Sequence, residues 1–144
     1  MNILVTGGTG FVGKPLVESL LARGDSITVL TRSIEKAQAV FPEKTPKFLT
    51  ALSTLKDLNE FDAVINLAGE PIFDKRWTVQ QKEKLRNSRI NLTQQLVQLI
   101  NQSEYPPALI SGSAIGIYGN CGEDVITEYT NPSTQFTAQL CIDW

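Results

Sequence analysis

Histidine is absent from the 144 residues. That absence excludes imidazole acid–base catalysis and every His-based triad within the chain. Cysteine is nearly absent as well: Cys121 and Cys141 stand alone, without the spacing of metal ligands, so no zinc site is indicated. They read as free thiols in a reducing cytoplasm, with a single disulfide as the alternative. Beyond Arg89 there is no positive side chain: all 13 Lys and Arg lie between Lys14 and Arg89, while Glu104, Glu123, Asp124, Glu128 and Asp143 follow. No dense basic stripe interleaved with aromatics occurs, which argues against nucleic-acid binding. No apolar run approaches the roughly 18 residues that a membrane helix needs. The opening MNILVTGGTG has no basic segment ahead of its apolar stretch, so it does not read as a secretory signal.

What is present is the composition of an ordinary globular domain, 42% hydrophobic and 19% charged with a net charge of -2. Apolar runs alternate with helical periodicities. Strands are expected at Asn2–Thr6, Ser26–Leu30, Lys47–Thr50 and Ala63–Gly69, with a fifth in YPPALISGS. Helices are expected over Lys14–Arg23, stopped by Gly24, over IEKAQAVF between Ser33 and Pro42, and over Val79–Asn101, where Thr78 and Gln81 carry a capping-box signature. From Cys121 the chain reads as a loop, and TQFTAQLCIDW as the first turns of a further helix. Continuously apolar strands separated by helices mean a parallel sheet covered on both faces, and the right-handed crossover makes it a doubly wound α/β fold of the dinucleotide-binding Rossmann type. A six-stranded version needs at least one strand more, so residues 1–144 are expected to form a nucleotide-binding domain truncated before its last strands.

VTGGTGFVGKPL sets Gly7, Gly10 and Gly13 between the first strand and the first helix. A pyrophosphate needs backbone without Cβ atoms and free N–H donors at a helix N-terminus. Gly7 is assigned the tight turn, Gly10 the close approach and Gly13 the helix–sheet contact. The end of the second strand, VLTRS, has Thr31 and Arg32 where a carboxylate would favour NAD. An arginine there meets a 2′-phosphate with a doubly donating fork, and Thr31 or Ser33 adds a hydroxyl, so the cofactor expected is NADP(H). Leu67, Ala68 and Gly69, after the fourth strand, suit a wall lying against cofactor ribose and phosphate.

On the long helix the apolar stripe runs Leu85, Leu92, Leu96, Leu99. Arg89 falls on that stripe, where a lone cation is costly unless paired. It is therefore expected to face a cofactor phosphate or a buried carboxylate, with Glu83 on the adjacent flank as one neighbour; an arginine snorkelling to solvent is the alternative. Lys82, Lys84 and Arg86 read as the wet face, and Trp77 as a loop anchor.

Taken together, MNILVTGGTGFVG, LTRS, VINLAGEPI, RWT with SRI, LISGSAIGIYG and the closing TE…F.A.LC.DW resemble the epimerase-like atypical short-chain dehydrogenase/reductases, NADP-binding proteins often labelled nucleoside-diphosphate-sugar epimerase. The resemblance covers nearly the whole chain. It implies a protein about twice this size by the usual domain prior, whose other half holds the last strands and a small substrate-binding domain. It implies cofactor contacts at the glycine loop (Gly7, Thr9, Gly10, Phe11, Val12, Gly13) and at Thr31, Arg32, Leu67, Ala68, Glu83 and Arg89. Ser113 keeps the place of the family serine, able to hydrogen-bond a substrate oxygen. Tyr118 follows it, with one residue more between the two than the common Ser-x-x-x-Tyr-Gly form.

One departure is marked. Mainstream members use Tyr-x-x-x-Lys, in which a tyrosinate, its pKa lowered by the lysine, acts as base or acid. Here Tyr105, Tyr118 and Tyr129 are followed four residues on by Leu109, Gly122 and Ser133, and no lysine follows Lys84. Three readings stay open: an NADP-dependent reductase or epimerase-like enzyme acting on a carbonyl or sugar-type small molecule through Ser113, with Tyr118 the weaker candidate, and groups from the other half; a non-catalytic NADP(H)-binding sensor or interaction protein; and a structural fragment whose incomplete sheet does not bind tightly. No metal is expected. Partners are a small molecule, with no nucleic acid and no membrane, and a homodimer is left open.

Overall fold

The computed structural model describes residues 1–42 and 45–144, and within it the chain forms two compact units, Met1–Gly112 and Ser113–Trp144. The first contains β1 (Asn2–Thr6), α1 (Gly13–Arg23), β2 (Ser26–Leu30), α2 (Ile34–Val40), β3 (Lys47–Leu49), a 3-10 turn (Leu52–Thr54), β4 (Ala63–Asn66), α3 (Val79–Gln102) and β5 (Ala108–Ser111). The five strands form one sheet in the order β3-β2-β1-β4-β5, every pair parallel. This is the doubly wound Rossmann-type arrangement: the order runs outward in both directions from the β1–β4 pair, and ligands of such sheets bind beyond the carboxyl ends of the strands at that reversal.

Strand alternation divides the apolar residues between two faces. Ile3, Val5, Ile27, Val29, Ala63 and Ile65 point to one side, where Val17 and Leu20 of α1 and Phe41 after α2 cover them. Leu4 and Val64 point to the other, packed with Leu52, Leu58, Phe61 and, from α3, Leu96 and Leu99. Leu4, Val5, Val17, Val29, Val64, Leu58, Leu85 and Leu96 are fully buried, each contributing about 1.5–3 kcal/mol of transfer free energy. The α3 stripe thus lies where its periodicity put it, with Leu92 half-buried at its margin.

Local signals explain the helix ends. Gly24 adopts φ 94°, and its N–H and that of Asp25 return to the carbonyls of Leu21 and Leu20, closing α1 as a left-handed cap does. Asp25 also receives the N-terminal ammonium at 2.9 Å and Arg23 Nε at 2.6 Å; Arg23 above all holds its carboxyl below the usual carboxylate range. Ser33 Oγ accepts the Lys36 N–H at the start of α2. Thr78 Oγ1 accepts the Gln81 N–H at 3.2 Å, but the reciprocal half of the expected capping box differs: the Thr78 N–H donates to the Arg76 carbonyl at 2.9 Å.

β4 and β5 are shorter than the apolar runs suggest, because Leu67 and Gly112 already leave the ladder after one last backbone bond each, to Thr6 O and Asn66 O. β5 is an edge strand whose four residues are all exposed, Ile110 at 57%.

The second unit contains a 3-10 turn (Ile115–Ile117), a long loop and α4 (Phe136–Asp143). The Ser133 N–H donates to the Ile117 carbonyl at 2.9 Å, and Gly119 turns at φ 70° directly against the Ser133 side chain. The two cysteines are free thiols: Cys121 Sγ donates to the Tyr118 carbonyl at 3.4 Å and Cys141 Sγ to the Ala114 carbonyl at 3.7 Å. Among the described residues no helix is long and apolar enough to cross a membrane.

Candidate functional site: the carboxyl edge of the sheet

The end of β1 enters the glycine loop through a left-handed residue. Gly7 has φ 70°, and a Cβ there would stand 2.7 Å from the carbonyl carbon and oxygen of Leu67 and 2.8 Å from the Ala68 nitrogen. Only glycine fits, for conformation and for space. The Gly10 N–H then returns to the Gly7 carbonyl at 3.0 Å, and the Lys14 N–H to that of Gly10 at 2.9 Å, so the chain enters α1 at once. The Lys14 and Leu16 N–H groups are taken by the Gly10 and Val12 carbonyls and Pro15 has none, so the donors left for an anion at the positive end of the helix dipole are the N–H groups of Phe11, Val12 and Gly13.

The glycines divide the work differently from the sequence reading. Gly13 does not meet the sheet: its Cβ would lie 2.1 Å from the Gly7 carbonyl oxygen and 2.7 Å from Gly8 Cα, so it seats the helix on the loop. The helix–sheet contact falls to Gly8, whose Cβ would lie 2.9 Å from Val29 Cγ1 and 3.3 Å from Val17 Cγ2. Gly10 has one neighbour only, the Gly7 carbonyl at 3.2 Å, and leaves its outer side open. Thr9, Phe11 and Val12 are exposed around it.

Thr31 and Arg32 follow β2. The Thr31 hydroxyl donates to the Ser33 carbonyl at 3.1 Å and accepts the Ser33 N–H at 3.2 Å; it shapes the turn, so its one proton is not available to a ligand. Ser33 Oγ accepts from Lys36 and keeps its own proton. Arg32 is exposed.

Beneath the β4 end lies a polar network that the sequence reading missed. Thr6 and Asn66 are 0% and 1% exposed. The Ala68 N–H donates to Thr6 Oγ1 at 3.2 Å, the Thr6 hydroxyl to Asn66 Oδ1 at 2.7 Å, and Asn66 Nδ2 to Thr93 Oγ1 at 2.9 Å and Ser111 Oγ at 3.2 Å. One carboxamide thereby ties the ends of β1, β4 and β5 to α3, with both amide protons used. Satisfied networks of this kind fix a single arrangement.

Arg89 is buried, 9% exposed, so it does not snorkel. Nη1 donates to the carbonyls of Glu70 (3.1 Å) and Leu85 (3.2 Å) and to Ser88 Oγ (3.4 Å). Its guanidinium lies against Gly69, where a Cβ would come 2.7 Å from Cζ. Gly69 is thus small to admit Arg89. Glu70 completes the clamp: its N–H donates to Ser88 Oγ at 2.9 Å, and its carboxylate takes Lys75 Nζ at 3.3 Å and Lys84 Nζ at 3.6 Å. The Lys75 hydrogen bond is the main cause holding the Glu70 carboxyl below its usual range. Glu83 is exposed on α3, while Trp77 anchors its loop by donating Nε1 to the Ile72 carbonyl at 2.8 Å.

One side chain on this helix remains unaccounted for. Gln81 is 8% exposed, and its Nε2 is buried with no hydrogen-bond partner among the described residues, an arrangement that costs about 1–3 kcal/mol.

In the second unit Ser113 is exposed, and Tyr118, half-buried, closes the 3-10 turn by donating its N–H to the Ile115 carbonyl at 3.1 Å. Among the described residues no group of three or more His, Cys, Asp or Glu is arranged to hold a metal ion.

The two glycine environments give opposite expectations. Gly13→Ala forces backbone apart and should destabilise by at least about 2 kcal/mol, whereas Gly10→Ala should change stability by less than about 1 kcal/mol. Urea denaturation of both variants measures this directly, and equal losses would contradict the assignment.

The residues 3–144 match the model of the NAD dependent epimerase/dehydratase family. The chain is 39% identical over 150 residues to the Arabidopsis thaliana "Epimerase family protein SDR39U1 homolog, chloroplastic", covering 100% of this chain and 43% of that protein. It is 39% identical over 133 residues to the Bacillus subtilis "Epimerase family protein YfhF", 89% of this chain and 42% of that one. Among solved structures, the human epimerase family protein SDR39U1 (isoform 2) with NADPH superposes with a TM-score of 0.84 at 29% identity, over 100% of this chain and 47% of that one. The chain therefore spans less than half the length of these relatives. It belongs to the NAD-dependent epimerase/dehydratase family.

Proposed function

We propose that this chain is an NADP(H)-binding domain of an epimerase-like reductase acting on a carbonyl or sugar-type small molecule. The carrying observation is the cradle at the carboxyl edge: an open Gly10 in a glycine loop that runs straight into α1, and an exposed Arg32 with no carboxylate at the end of β2. The NADPH named with the human relative supports the same reading. Gly7, Thr9, Gly10, Phe11, Val12 and Gly13 would hold the pyrophosphate at the α1 N-terminus. Arg32, helped by the Ser33 hydroxyl, would take the 2′-phosphate by a planar double donation. Leu67, Ala68 and Gly69 would form the ribose wall, stiffened from beneath by Asn66 and Arg89; Glu83, exposed on α3, would reach the cofactor from the flank. A bound nicotinamide supplies hydride transfer. Ser113 would hydrogen-bond the substrate oxygen, and Tyr118 would stand as a proton donor beside it. Residues 1–144 then act as the nucleotide-binding part of a longer, cytoplasmic protein with its thiols reduced.

A second reading, a non-catalytic NADP(H) sensor or interaction protein, is favoured by one specific observation: no tyrosine is followed four residues on by lysine.

Isothermal titration tests the cofactor. NADPH should bind more tightly than NADH, and Arg32→Ala should weaken NADPH by about tenfold, one charge-assisted contact's worth, while leaving NADH unchanged. Tighter NADH, or an unaffected NADPH affinity in the variant, contradicts the reading. NADPH oxidation over a panel of carbonyl compounds then separates enzyme from sensor: turnover abolished by Ser113→Ala supports the first, and tight binding without turnover the second.

A further inference from the structure

We infer that the Gln81 carboxamide is a ligand donor which, with the first turn of α3, forms a subsite for an oxyanion, a phosphate or carboxylate oxygen of a bound small molecule.

The sequence gives Gln81 an obvious duty, the return half of a capping box, and the fold does not use it: the Thr78 N–H bonds the Arg76 carbonyl instead. The carboxamide is nonetheless buried, and Nε2 meets no acceptor among the described residues. An ordinary surface glutamine would turn to water. Gln81 also stands one and two turns before Leu85 and Arg89 on the buried face of α3, the face whose Arg89 lies against Gly69. Gln81 is the third residue of this 24-residue helix, in the turn where unpaired N–H groups and the positive end of the dipole gather, and helical side chains lean toward that end.

The surrounding charge has the matching sign. Lys75, Arg76, Lys82, Lys84 and Arg86 occupy this end of the helix and its approach, against Asp74, Glu83 and a Glu70 already engaged with Lys75 and Lys84. An NH2 group donates and cannot accept, and an oxyanion is the complementary acceptor. Because Nε2 exposes no surface to water, binding includes a local rearrangement of the side chains over it. The inference deepens the nucleotide reading, since the oxyanion can be a cofactor phosphate or an anionic group of the substrate.

The test uses 15N-labelled protein, with the Gln81 side-chain NH2 signals identified by their loss in Gln81→Met. Inorganic phosphate is titrated first, then NADPH in phosphate-free buffer. The expected result is a saturable shift of the Gln81 NH2 pair with at least one of the two, and an affinity for that probe at least tenfold weaker in Gln81→Met and Gln81→Glu. Gln81→Met should also melt no lower than the wild type, since it removes a donor that has nothing to bond. A response to NADPH assigns the oxyanion to the cofactor, and a response to free phosphate alone assigns it to the substrate side. Loss of thermal stability in Gln81→Met, silence of the NH2 pair with both probes, or shifts of the 79–80 amides that persist in the variant (an adventitious ion only) each overturn the inference. NADPH binding with a silent NH2 pair removes this subsite and leaves the nucleotide reading intact; a phosphate response without NADPH binding does the reverse.

Discussion

The arrangement of the site depends on one backbone contact: Gly7 lies so close to the Leu67–Ala68 peptide that not even a methyl group fits between them. Two neighbouring parallel strands leave the sheet there in different directions, one into the glycine loop and one toward α3. Their approach fixes the distance between a helix N-terminus and a wall of small residues. The positive φ of Gly7 turns the chain, Gly13 lets α1 settle onto the turn, and Gly8 brings loop and helix down onto Val29. Gly7, Gly8 and Gly13 thus stand where a Cβ would push loop, strand or helix apart.

Around that contact the protein builds stiffness from polar groups rather than apolar ones. Thr6 and Asn66 each end a strand after three apolar residues, and they are paired with each other and with Thr93, Ser111 and the Ala68 N–H. Arg89 and Glu70 hold the next residues of the same segment to α3. Where the wall is tied down, donors and acceptors are matched. Gln81 Nε2, two turns before Arg89 toward the helix start, is the contrast, a buried donor without an acceptor among the described residues. The charged side chains after Ser113 are Glu123, Asp124, Glu128 and Asp143, with no Lys or Arg among them.

Much of this was legible in the sequence because it depends on short-range rules. Continuously apolar strands, the leucine stripe of α3, Gly24 as a helix stop and Ser33 and Thr78 as caps all stand where their local chemistry puts them. Arg89 was legible as an anomaly, a cation on a buried stripe. Two of the partners described above are backbone carbonyls, which carry no sequence signal, and a third is the hydroxyl of the adjacent Ser88; Glu83, expected as one neighbour, is exposed. The Asn66 network escaped because its members are 60, 45 and 27 residues apart, and Asn66 stands inside the strand expected over Ala63–Gly69. The glycine roles were misallocated for a related reason: spacing identifies the loop, but only packing says which Cβ would meet which atom. A polar residue ending a buried strand, facing hydroxyls at the ends of its neighbours, was the available clue.

Hydrogen exchange with and without saturating NADPH tests the cradle most directly. The account predicts slowed exchange at the amides of residues 10–14 and 67–69 together, since nucleotide seated against one side of the Gly7–Leu67 junction must cover the other. NADPH that binds while both segments exchange at their unliganded rates would contradict it.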